Sequence, residues 1–78
     1  MVHELKILPE YFEQVQSGNK TFELRKDDRN YDKFDYLYLR EYWDGRYTGR
    51  EEMKQVTYVL RDVEDYGLKK GFVILGMQ

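Results

Sequence analysis

No cysteine occurs in the 78-residue chain, so neither a disulfide nor a thiolate metal site can reinforce its core. The same absence suits a reducing compartment. Histidine is almost missing as well: His3 stands alone, which excludes a histidine-based metal cluster, and no carboxylate spacing fits an all-oxygen site. No window approaches the roughly 18 apolar residues of a membrane span. The amino terminus also lacks the basic-then-apolar pattern of a secretory leader. These absences predict a soluble cytoplasmic protein with no membrane partner, no metal and no cofactor. An excess of one charge is missing too. With 13 basic and 15 acidic residues the formal charge is −2, and both signs are mixed along the chain. Non-specific binders of duplex DNA rely on many phosphate contacts and a basic surface, so the balance argues against that class. It leaves room for a pocket that holds one nucleotide or a short single strand.

Aromatic residues are what the chain has in abundance. They make up 17 %, with eight tyrosines and four phenylalanines, and large rings bury much area in a domain this short. The length allows one domain, residues 1–78, with a small core.

Hydrophobic alternation predicts a strand over HELKIL (3–8), with Leu5 and Ile7 on one face. PEYFEQVQSG (9–18) predicts a helix of two or three turns. Pro9 and Glu10 suit its start and Gly18 its stop, while Tyr11, Phe12 and Val15 form an apolar stripe. KTFELR alternates again, with Phe22 and Leu24 opposite Thr21, Glu23 and Arg25. A polar, turn-rich loop leads to YLYLREYW (36–43), a strong strand, and the following DG signals a hairpin. A further strand is expected from about Met53 to Arg61, then a loop, then a closing strand FVILGM. Five short strands and one short helix after the first predict an α+β, mainly β fold. Curling into a small barrel is the economical arrangement, because closure removes exposed edges. An open sheet with one covering helix is the rival architecture.

The segment SGNKTFELR carries G-x-K-x-x-E-x-R at Gly18, Lys20, Glu23 and Arg25. Glu23 and Arg25 share a strand face. Lys20 joins them only from the turn before the strand or through a bulge, and Gly18 makes such irregular backbone cheap. Lined up in a cleft, Arg25 offers a planar fork of donors, Glu23 an acceptor or base, and Lys20 a compact positive charge. Taken alone, Glu23 and Arg25 read more readily as a solvated cross-strand pair worth roughly a few tenths of a kcal/mol.

This pattern resembles the signature of the ASCH domains, a branch of the PUA-like barrels. With glycine near 7 % of residues, chance produces it in on the order of one chain of this length per thousand. The likeness extends through HELKILPEYFEQVQSGNKTFELRKDDRNYDKFDYLYLREY, YTGR and GLKKGFVIL, similar to a small bacterial and phage subgroup of that family. The resemblance implies a PUA-like β-barrel of about five strands with one short helix. It also implies binding of RNA, or of a nucleotide-like small molecule, in a cleft between the helix and the signature strand. Gly18, Lys20, Glu23 and Arg25 become the expected site.

An enzymatic branch that deacylates acetylated cytidine is similar at G-x-K-T and at the arginine. It carries a threonine where this chain has Glu23, and its further glutamate lies in a longer segment than the one holding Glu64 and Asp65 here. Should the chain be a hydrolase on modified nucleosides or RNA, Lys20 and Glu23 are the candidate proton-handling pair. A protein-interaction module, with a protein partner on an exposed apolar patch, is the third reading.

Other residues carry weaker signals. Tyr36, Tyr38, Arg40 and Tyr42 share a strand face. Interleaved aromatics and arginine suit base stacking, yet the two tyrosines are expected to pack beneath the helix or across the barrel. Arg40, Tyr42 and Trp43 remain rim candidates. DGRYTGR could touch phosphate or simply be solvated. Lys70, beside the last strand, is a candidate phosphate contact should its loop approach the signature strand. His3 is expected to bond backbone or water.

Overall fold

A computed structural model describes residues 1–78. The strands are β1 (Val2–Ile7), β2 (Phe22–Lys26), β3 (Tyr36–Trp43), β4 (Arg46–Leu60) and β5 (Phe72–Met77). Helix α1 (Pro9–Gln16) follows β1, and a short 3₁₀ turn, Glu64–Tyr66, precedes β5. The fold is α+β and mainly β. No helix is long and apolar enough to cross a membrane.

Each element follows from local chemistry. Pro9 opens α1 at a position where a missing N–H costs nothing, and Phe12 and Val15 seal its inner face at 0 % and 1 % exposure. Tyr11, the third residue of the expected stripe, is instead half exposed. Asp44 and Gly45 both take positive φ, 51° and 79°, as a two-residue hairpin between Trp43 and Arg46 requires. β4 begins well before Met53, because the residues after that turn pair with β3 at once.

The strands form one mixed sheet in the order β1-β3-β4-β5-β2. β1 runs parallel to β3, and every other pair is antiparallel. β4 changes partner midway: Gln55 still pairs with Tyr36, whereas Val56 already pairs with Met77. This switch curls the sheet around Leu37, Leu39, Val56, Val73 and Leu75, all fully buried. The backbone ladder does not close into a barrel. β1 and β2 remain edges, and side chains span the gap between them. Arg25 donates to the Lys6 carbonyl (2.7 Å) and Arg29 to the Glu4 carbonyl (2.8 Å).

The loop after β2 is pinned rather than loose. Arg61 grips Asp27 through two hydrogen bonds (2.6 and 3.1 Å) and donates to the Tyr31 carbonyl, and Tyr31 is buried at 1 % exposure. His3 does not rest on backbone or water. It is buried with its Nε2 2.8 Å from Asp35 and its ring 4.6 Å from that of Tyr31. Tyr36 and Tyr38 lie on the outer face of β3, not beneath the helix, because Leu37 and Leu39 take the inward positions.

Candidate functional site

The turn that ends α1 sets Lys20. Gly18 takes φ +85° and donates to the Val15 carbonyl at 3.1 Å, and the Lys20 amide folds back onto the Gln14 carbonyl at 2.9 Å. The lysine therefore enters from the turn, before the alternation of β2 begins. In β2 the polar side faces inward: Glu23 is 3 % exposed, while Phe22 and Leu24 are about half exposed. The alternation predicted for this strand holds, and the buried face is the charged one.

Glu23 is held from both sides. Lys20 Nζ donates to Oε1, and Arg25 Nε donates to Oε2 at 2.9 Å. A buried carboxylate is tolerable only when its charge is matched and its oxygens are hydrogen-bonded. Here two cations do so, one on each oxygen, and each oxygen keeps a second lone pair. The Lys20 ammonium also sits 5.6 Å from the Tyr11 ring centre and 5.3 Å from that of Phe22, within reach of cation–π attraction.

These groups border a cleft of about 470 Å³ between the end of β1, the first turn of α1 and the open edge of β2. Leu8, Tyr11, Phe22 and Leu24 form its apolar rims, with Lys6 at one side. Three cationic residues (Lys6, Lys20, Arg25) and one carboxylate line it, a local excess of positive charge in a chain of net −2. Such a cleft focuses an attractive field on an anion. The volume falls in the range of small-ligand sites.

Lys20, Glu23 and Arg25 thus come together as one cluster, and Gly18 shapes the turn without bordering the cleft. Arg40 and Lys70 do not join them. Arg40 lies on the outer face of the sheet, 3.8 Å over the Tyr47 ring and ion-paired with Glu4 and Glu51 at 3.4 and 3.6 Å. The loop of Lys70 does approach the signature strand, but at its far end, where the Asp27 amide donates to the Gly71 carbonyl. At about 3.3 Å per residue, Asp27 is roughly 16 Å along the strand from Phe22, where β2 begins. Arg50, of the DGRYTGR hairpin, is taken up by Glu41 at 3.0 and 2.6 Å and by Glu13 at 2.8 Å. Glu41 is buried at 4 % exposure, and the Arg50 guanidinium, with the Thr48 hydroxyl, holds its carboxyl below the usual value.

Sequence reasoning missed Lys6 and Tyr11 as cleft residues. Tyr11 was assigned to the core because its helical spacing matches Phe12 and Val15. For Lys6 the only signal was its place at the end of β1 beside the first turn of α1.

Residues 2–77 match the family described as "Domain of unknown function (DUF3850)". The chain belongs to that family. It is also similar to a protein of Escherichia phage P2 named "Uncharacterized 12.9 kDa protein in GpA 3'region". The two are 44 % identical over 70 residues, which cover 86 % of this chain and 64 % of the phage protein. The chain therefore spans less than two thirds of that relative's length.

Proposed function

We propose that this chain is a PUA-like, ASCH-type domain that binds RNA or a nucleotide-like ligand in the cleft between β1 and β2. The observation that carries the reading is the cleft's pairing of a cationic excess with a buried carboxylate, between aromatic rims. A nucleotide needs all three: cations for phosphate, an acceptor for a base amine, and rings for the base face. Lys20 and Lys6 serve the phosphate, because Arg25 already spends two donors on Glu23 and on the Lys6 carbonyl. Glu23 reads an amino group, and Tyr11 and Phe22 offer the stacking faces. The PUA-like relationship itself rests on the G-x-K-x-x-E-x-R pattern and on the curled five-stranded sheet. Its side-chain bridge at Arg25 and Arg29 stands where a closed barrel has backbone pairing.

A second reading, hydrolysis of a modified nucleoside, is favoured by the direct Lys20–Glu23 contact inside the cleft. Calorimetric titration with cytidine and adenosine monophosphates tests the binding reading. Saturable binding weakened about tenfold or more by Glu23→Gln supports it, and no heat at millimolar nucleotide contradicts it. Product appearing by chromatography in the same samples with an acetylated nucleoside moves the assignment to the enzyme.

A further inference from the structure

The groove beside Trp43 lies next to the cleft and is chemically unlike it. It encloses about 410 Å³ and is bordered by Leu8, Pro9, Glu10 and Trp43. Leu8 borders both depressions, so the two are neighbours that share one residue. The parallel register explains why they meet. It sets Ile7 beside Glu41, so the next residues of both strands, Leu8 and Pro9 with Tyr42 and Trp43, emerge at the same end of the sheet. Trp43 is 61 % exposed at the mouth of the hairpin. Lys6 borders the first cleft while its Nζ stands 4.4 Å over the ring of Tyr42, the residue before Trp43.

The groove holds no cation of its own and one carboxylate, Glu10, in the first turn of α1. A phosphate would be repelled there; a base edge carrying an amine would be attracted. An exposed indole offers a broad π-face on which a base stacks.

We propose that this groove is a second subsite, which stacks the base adjacent to the nucleotide held at Lys20 and Glu23. Its ligand is a single-stranded oligonucleotide of at least two residues. Lys6 faces the linking phosphate, and Glu10 favours a base with an exocyclic amine. The inference rests on the nucleotide reading of the first cleft and extends it from one nucleotide to two.

Trp43 is the only tryptophan, so its fluorescence reports this groove alone. The test compares adenosine monophosphate with the 5′-phosphorylated dinucleotides pApA, pApC and pApU and with the reverse-polarity ApAp. It follows Trp43 emission together with the amide signals of residues 18–25. The subsite predicts quenching by a dinucleotide and not by the monophosphate, with about 5- to 100-fold tighter binding. Trp43→Leu, at an exposed position, removes that gain and leaves monophosphate affinity unchanged. The proposal also predicts that pApC binds more tightly than pApU and that Glu10→Gln levels the two. Equal affinity of monophosphate and dinucleotides, with silent Trp43 and shifted amides at 18–25, overturns the second subsite and leaves the first reading standing. No response from either probe to any ligand overturns both.

Discussion

Arg25 on β2 donates through Nη2 to the backbone carbonyl of Lys6 on β1 at 2.7 Å, while its Nε holds Glu23 at 2.9 Å. One guanidinium thus joins the two free edges of the sheet and fixes the buried carboxylate of the cleft. Arg29 repeats the first half of this arrangement at the Glu4 carbonyl, two residues along the same edge. Unpaired strand edges template association with other chains, and here two charged side chains occupy one of them.

Arg25→Ala removes two charge-assisted hydrogen bonds, to Glu23 and to the Lys6 carbonyl, and leaves Glu23 with one cation, which costs at least about 1.5–3 kcal/mol. Arg25→Lys recovers little, since a single ammonium cannot serve Glu23 and the Lys6 carbonyl with the geometry of a fork. Urea denaturation measures the loss, and hydrogen exchange at residues 4–6 locates it. Unchanged stability and exchange would show that the bridge does not hold the edges together.

Gly18→Ala tests the turn that delivers Lys20. A Cβ at this position meets nothing within 4 Å, so the whole cost is the left-handed backbone at φ +85°, about 1–2 kcal/mol. The melting temperature should fall accordingly. A neutral substitution would mean that the turn relaxes to another conformation, and a crystal structure of the variant would then show Lys20 displaced.

Two carboxyls contribute to the acid limb of stability. Asp35 is held below its ordinary 3.8 by its bond to His3, then by the Asp32 amide and the terminal amine; Glu41 is held below its ordinary 4.5 by Arg50 and Thr48. Both therefore bind protons more weakly folded than unfolded. Their contribution is complete above about pH 5 and is lost as pH falls through those ordinary values toward the depressed ones. Each adds a slope of at most about 1.4 kcal/mol per pH unit in that window. Unfolding midpoints between pH 2.5 and 7 check this. Asp35→Asn should flatten the acid limb, and an unchanged limb would assign it to other carboxyls.

Much of the architecture is legible in the sequence, and the gaps have physical causes. β3 and β5 are bounded at the predicted residues because their apolar alternation is strong and a turn flanks each. β2 illustrates the limit. Alternation tells which side chains share a face, but the burial of Glu23 depends on Lys20 and Arg25 meeting it from both sides. Glu41 is hidden in the same way: its partner Arg50 lies beyond the hairpin, across an irregular register near Gly49. His3–Asp35 and Arg29–Glu4 link residues 32 and 25 positions apart, and no local pattern marks either pair. The trio of the cleft was legible because it is local, within six positions. Arg40 and Lys70 lie away from that cleft, and no local pattern tells this because their positions depend on strand order.

Lys20→Ala and Lys70→Ala form a matched pair of charge deletions. The first removes a donor inside the cleft and should weaken nucleotide binding about 10- to 100-fold; the second, at the far end of β2, should change it less than twofold. Isothermal calorimetry distinguishes them. Equal losses would mean that binding follows net charge and not the cleft.

The most direct measurement is an NMR titration of the isotopically labelled protein with cytidine and adenosine monophosphates and short single-stranded RNA. Nucleotide binding in the cleft gives saturable amide shifts clustered at residues 6–11 and 18–25, weakened by Glu23→Gln and untouched by Lys70→Ala. Amides that stay fixed at millimolar ligand, or shifts that gather on the outer face around Arg40, would contradict it.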